Sequence, residues 1–123
     1  MKRIFVISVI IIFCLCGCGT DSKLNSDGTI DYVYAKELMI NENAILVDVR
    51  SEDEYNEGYI DGALLLPVDS INEDSASEVI ESKDSTVIVY CRSGNRSSQA
   101  LQILNDLGYE NVYDLGAMSN WEE

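Results

Sequence analysis

The chain predicts a three-layer α/β domain with a mainly parallel central sheet flanked by helices. Two observations carry this. Short apolar runs rich in β-branched residues alternate with segments of helical spacing, and the strongest run, Thr86 to Tyr90, leads through a polar loop straight into a helix. Parallel strands need a crossover between them, so such alternation places helices against the sheet. The 123 residues leave room for one domain of roughly 100 residues. An apolar share of 46% and a charged share of 24%, without repeats or low-complexity tracts, describe a globular chain rather than a disordered or membrane-spanning one.

Taken in order, Gly19 to about Gly28 is small and polar and reads as a flexible tether, so residues 18–29 precede a domain over 30–123. Tyr34 to Ile40 reads as a short helix ending by Asn41. Ala44 to Val49 is a continuous apolar run interrupted by Asp48, the pattern of a strand buried on both faces. Ser51 and Glu54 form a capping-box signature for a short helix that stops at Gly58. Leu64 to Pro67 is a short strand, and Asn72 to Ser82 a weaker helix with Ala76, Val79 and Ile80 on one side. After the strand Thr86 to Tyr90, the segment Ser97 to Leu107 has Ala100, Leu101, Leu104 and Leu107 at helical spacing, with Gly108 at the C′ position. Asn111 to Leu115 closes as a strand, and Trp121 falls on a last turn or short helix.

The N-terminus reads as an address. Lys2 and Arg3 precede an apolar run from Ile4 to Phe13, followed by Leu15, Cys16, Gly17 and Cys18. The run is shorter than the roughly 20 residues that span a bilayer and has the order of an export signal. It resembles a bacterial lipoprotein signal, with Cys16 a less usual residue at its position. That resemblance implies cleavage after Gly17, so that 1–17 is the signal peptide, lipidation of Cys18, and a domain anchored outside the cytoplasm by its lipid. An uncleaved signal anchor is the alternative.

Loss of Cys14 and Cys16 with the signal, and lipid on Cys18, would leave Cys91 as the single free thiol of the four cysteines. No internal disulfide is then available, and an exported lone thiol needs a purpose. The net charge of −14 argues against nucleic acid and anionic lipid headgroups as partners. The chain contains no histidine, which excludes a Cys–His dyad, a Ser–His–Asp triad and His-containing metal sites; no metal or cofactor is expected.

Against that acidic background, Arg92 and Arg96 flank Cys91, and Arg50 closes an earlier strand. In open α/β sheets the reactive site lies beyond the carboxyl ends of the strands, which predicts that Cys91 is presented outward just past its strand. Arg92, Ser93, Gly94 and Asn95 would curl around the sulfur, with Gly94 free to take φ > 0 and backbone N–H groups turned inward as an anion nest. A helix starting near Arg96 adds roughly half a positive charge at its N-terminus. These features predict a thiol pKa below the reference of about 8.5. Asp48 and Arg50, at a strand end beside a capping box, read as structural support through an ion pair or a cap across the loop. Trp121, Tyr109 and Tyr113 read as packing residues.

The loop Cys91-Arg92-Ser93-Gly94-Asn95-Arg96-Ser97-Ser98 closely resembles the active-site loop of the rhodanese sulfurtransferases. The resemblance extends to Leu46-Val47-Asp48-Val49-Arg50, Glu54-Tyr55, Gly58-Tyr59-Ile60-Asp61-Gly62-Ala63, Gly108-Tyr109 and Asn111 to Leu115 with Trp121, covering nearly all of residues 30 to 121. Tyr59 and Asp61 stand where the family usually has His and Pro, and Gly116-Ala117-Met118 where Gly-Gly-Ile is commoner. The resemblance implies transfer of a sulfane sulfur from a small anionic donor such as thiosulfate to Cys91, giving a persulfide that a thiol or cyanide acceptor then removes. Arg92, Ser93, Gly94, Asn95 and Arg96 are the residues expected to hold the donor.

Two alternatives stay open. Cys-dependent phosphatases of similar fold place five residues between Cys and Arg, whereas this chain has four, Arg92 to Asn95. The shorter loop loses about 3.3 Å of contour and suits a sulfur atom better than a phosphate. A membrane-tethered sulfur carrier or sensor without turnover would have the same loop.

Overall fold

The computed structural model describes residues 23–122. The signal segment, Cys14, Cys16 and the lipidation site Cys18 lie outside the described residues. The described part of the tether segment, residues 23–29, forms a turn closed by Asn25 N to Thr29 O at 2.7 Å. Lys23 reaches Glu37 at 3.6 Å.

Helix α1 spans Tyr32–Asn41 and begins before the expected Tyr34 because Asp31 caps it, accepting from the Tyr34 amide at 2.8 Å. It buries Ala35 and Leu38. Strand β1 is Ile45–Asp48. Helix α2, Glu52–Glu57, starts on the expected capping box, with Glu54 N donating to Ser51 Oγ at 3.2 Å and Ser51 N to Glu54 Oε1 at 3.1 Å. Strand β2 is only Leu64–Leu65, followed by a 3₁₀ turn at Val68–Ser70. Helix α3, Glu73–Val79, ends earlier than its pattern suggested, because Ile80 turns to extended backbone and inserts its side chain into the core. Strand β3 is Thr86–Cys91, helix α4 Asn95–Asp106 and strand β4 Asn111–Ala117. A single 3₁₀ turn, Met118–Asn120, precedes Trp121.

The sheet has the order β2-β1-β3-β4, and every pairing is parallel. Alternate residues of β1 and β3 face opposite layers. Val47, Val87, Val89 and Cys91 pack with Ala76 of α3 and with Ala100 and Leu104 of α4. Leu46, Ile88 and Tyr90 pack on the other side with Ala35 and Leu38 of α1 and with Leu115. Tyr109 joins the first cluster, while Tyr113 and Trp121 pack against the second. The register slips between Val89 and Tyr90, so that Val89 pairs with Asp114 but Tyr90 with Gly116. This bulge lets β4 run two residues beyond the expected end at Leu115 and lays Ala117 beside Cys91. The carboxyl ends of β1 and β3 therefore lie side by side, with Asp48 in register with Tyr90.

Candidate active site

Cys91 ends β3 and is the free cysteine among the described residues. Its sulfur is not presented outward as the strand order suggested: the residue has 0% of its surface exposed. The chain turns back over it. Gly94 N donates to Cys91 Sγ at 2.9 Å and Ser97 N at 3.3 Å. Gly94 makes this turn at φ 102, a conformation that side-chain-bearing residues rarely adopt, and serves as the N-cap of α4. Ser97, fully buried, ties the turn further by donating its hydroxyl to Gly94 O at 3.1 Å.

Two opposed influences act on the thiol. Burial pushes its pKa up, but the Ser97 hydroxyl, the Ser97 amide and the amides of Gly94 and Ser93 push it down and prevail, leaving it below the ordinary thiol value. The dipoles aimed at the sulfur thus shift its balance toward the thiolate relative to a free thiol.

Arg92 and Arg96 do stand beside the loop, but both are held by one residue that sequence reasoning assigned only to a helix cap. Glu54 accepts from Arg96 Nη1 at 2.7 Å and Nη2 at 3.1 Å, and from Arg92 Nε at 3.0 Å, with Arg92 Nη2 in ion-pair contact at 2.9 Å. The Arg92 side chain remains 63% exposed and that of Arg96 34%, so both stay at the surface beside the loop while anchored at their tips by Glu54. Ser93 and Asn95 are exposed on the rim.

Asp48 and Arg50 form a closed pair beneath this surface, 0% and 4% exposed. Arg50 Nη2 donates to Asp48 Oδ2 at 2.7 Å and to Gly58 O at 2.6 Å, fixing the end of α2. Tyr90 completes the network, its hydroxyl donating to Asp48 Oδ2 at 2.8 Å and accepting from Ile60 N at 3.0 Å. Neither Tyr90 nor Glu54 carried a sequence signal for these contacts, because each partner lies on a different strand–helix unit. Ser97 and Asp114 were also missed. Asp114, 4% exposed, accepts from Gly116 N at 2.8 Å. Burial raises its pKa, against the lowering effect of the Ser97 hydroxyl. Tyr59 and Asp61 are exposed, Tyr59 stacking on Tyr55 with ring centroids 4.0 Å apart.

The class that fold and site define is a parallel α/β domain with a cysteine at the carboxyl end of a central strand, wrapped by a loop whose amides converge on the sulfur. Within that class the assignment is specific: residues 31–123 match the Rhodanese-like domain family, and the chain belongs to it. It is 35% identical over 74 residues to the thiosulfate sulfurtransferase PspE of Escherichia coli, covering 60% of this chain and 70% of that protein. It is 33% identical over 94 residues to the thiosulfate sulfurtransferase GlpE of Coxiella burnetii, covering 76% of this chain and 85% of that protein. Among solved structures it is similar to a rhodanese with anions from E. coli, at TM-score 0.57 and 34% identity, covering 63% of this chain and 89% of that one. The human single-domain sulfurtransferase TSTD1 matches at TM-score 0.63 and 26% identity, covering 76% of this chain and 94% of that one.

Proposed function

We propose that the protein is a sulfurtransferase that moves a sulfane sulfur from an anionic donor such as thiosulfate to a thiophilic acceptor through a persulfide on Cys91. The observation that carries this reading is the convergence of Gly94 N and Ser97 N on Cys91 Sγ. The Cys91 thiolate attacks the outer sulfur of thiosulfate; the S–S bond breaks with its electron pair leaving on sulfite, and Cys91 becomes Cys–S–S⁻. Cyanide or a thiolate then takes the terminal sulfur and returns the Cys91 thiolate. The amide donors that favour the thiolate also suit the persulfide, whose negative charge lies one sulfur further out. The similarity to PspE and GlpE, both named thiosulfate sulfurtransferases, supports the same reaction class.

Intact mass after thiosulfate treatment tests this directly. We expect a gain of one sulfur, about 32 Da, that cyanide removes and Cys91→Ser abolishes. An unmodified mass, or an adduct that persists in Cys91→Ser, would overturn the reading. Turnover separates an enzyme from a stoichiometric carrier: many thiocyanate ions per Cys91 are expected.

The Leu15-Cys16-Gly17-Cys18 sequence supports a second part of the proposal, that the chain is exported and anchored to the cell envelope through lipid on Cys18. Incorporation of labelled fatty acid that is lost in Cys18→Ala is the expected result; an unlabelled chain recovered intact from the cytosol would refute it.

A further inference from the structure

Helix α1 is apolar on both sides. Ala35 and Leu38 pack inward with the sheet, as a core helix requires. Its outward stripe carries Val33 and Ile40, 69% and 74% exposed, the two most exposed large apolar side chains among the described residues. A spacing of seven residues puts them on one line, two turns apart. A helix that is apolar all round is ordinarily covered on both faces. Beside the stripe Tyr32 and Trp121 pack edge to face with ring centroids 4.9 Å apart, and Lys36 Nζ lies 5.9 and 5.4 Å from the two ring centres. Lys23 and Leu24 reach the near end of the stripe, where they line a cavity of about 180 Å³ together with Val33 and Glu37. Glu37, the carboxylate between Val33 and Ile40, is paired with Lys23 at 3.6 Å.

Aliphatic side chains bordered by Trp, Tyr and Lys match a water–lipid boundary. The aliphatic groups enter the acyl region, the amphipathic rings sit at headgroup depth and the lysines extend toward water. Position along the chain says which boundary. Lys23 comes five residues after Cys18, so the connection between them spans at most about 18 Å when fully extended. With lipid on Cys18, the near end of the stripe is held within that distance of the bilayer. So short a tether makes the contact intramolecular, at an effective concentration on the order of millimolar, and a stripe too small to recruit a free domain then suffices. The net charge of −14 supplies no general attraction to headgroups, so the contact is apolar rather than electrostatic.

We propose that the outer face of α1, with Val33 and Ile40 at its centre and Tyr32, Lys36 and Trp121 at its border, docks on the surface of the lipid bilayer in which the chain is anchored. This rests on the lipidation of Cys18 proposed above. Docking through α1 also sets the direction of the reactive site. Cys91 packs with α3 and α4 on the side of the sheet opposite α1. Its sulfur then lies in the layer turned away from the lipid, which favours water-soluble reactants over membrane-dissolved ones.

Trp121 is the single tryptophan of the chain and reports the docking itself. The full-length lipidated protein is reconstituted into phosphatidylcholine vesicles with and without acyl chains brominated next to the headgroup. Trp121 emission should be quenched by the bromines in the parent. It should return to the level of bromine-free vesicles in Val33→Gln/Ile40→Gln, a pair that keeps good helix formers and the same net charge. Unquenched emission from a parent that floats with the vesicles would overturn the proposal, because the anchored domain would then hold α1 in water. Quenching retained in the double variant would overturn it too, since nearness to the bilayer without the stripe would account for the signal. If the double variant does not fold, Val33→Gln and Ile40→Gln decide singly: a partial loss of quenching in each supports docking, and no loss in either refutes it. A parent whose intact mass shows no lipid on Cys18, and which does not float, would instead defeat the anchoring and the docking with it.

Discussion

At the end of β1 a buried anion, Asp48, is neutralised by a cation two residues further on. At the end of β3, beside it in the sheet, the buried sulfur of Cys91 is held by two backbone amides. Asp48 receives two guanidinium nitrogens of Arg50, the Arg50 amide and the Tyr90 hydroxyl. Every lone pair that faces the interior is used, which makes the site a fastening between β1, α2 and β3. Cys91 receives Gly94 N and Ser97 N, and the nearby arginines are held away at their tips by Glu54. The difference is instructive. A full opposite charge at contact distance locks an anion in place, whereas dipoles stabilise it without using up its reactivity.

The comparison breaks most severely at Arg50. Arg50→Ala leaves the Asp48 carboxylate buried without its cation, and unfolding in urea should show a loss of about 3–5 kcal/mol with little change in slope. A loss under about 1 kcal/mol would mean that the pair is not a fastening. The remaining folded fraction should still alkylate at Cys91 with the pH profile of the parent, because none of the donors to the sulfur has been touched.

Ser97→Ala sharpens the other side. It removes the hydroxyl that lowers the thiol pKa while keeping the amide, so the alkylation midpoint should move up, and the rate at pH values below that midpoint should fall by up to about tenfold, the value of one hydrogen bond to a charged group. The sign is fixed by the shift: rate rises with pH as the thiolate forms, with a midpoint below that of a free thiol in the parent and displaced upward in Ser97→Ala. A variant with an unchanged midpoint would leave the backbone amides as the sole cause.

The smallest effect is expected at Asp114, which lies behind the loop. Its folded pKa is raised by burial, so the native state binds the proton more tightly than the unfolded chain, and stability falls as pH rises from the ordinary carboxylate value of 3.8 through the folded value. Asp114→Asn can still accept from Gly116 N and should flatten that decline, gaining melting temperature at neutral pH but not at pH 3. Equal melting shifts at both values would contradict the assignment.

Much of this molecule was legible in its order of residues. The β-branched run Thr86 to Val89, the Ser51–Glu54 box and the Ala100/Leu104 spacing name local structures whose partners lie within a few residues, and each formed where its pattern placed it. The positive φ of Gly94 belongs with them, since only a glycine turns there without strain. The errors fell where distant segments compete. α3 stops early because Ile80 is drawn into the core, and β4 runs long because a bulge lets it continue beside Cys91.

The sequence by itself determined the sheet-and-helix alternation, the single cysteine at a strand end, the loop that wraps it and the acidic balance around it, because these follow from spacing and composition. Tertiary structure alone decided that the sulfur is buried, that Glu54 reaches across from α2 to hold both arginines, and that Tyr90 joins the Asp48–Arg50 pair. Such contacts depend on two strand ends being brought side by side, and no local pattern encodes the partner's distance or the number of hydrogen bonds it will accept.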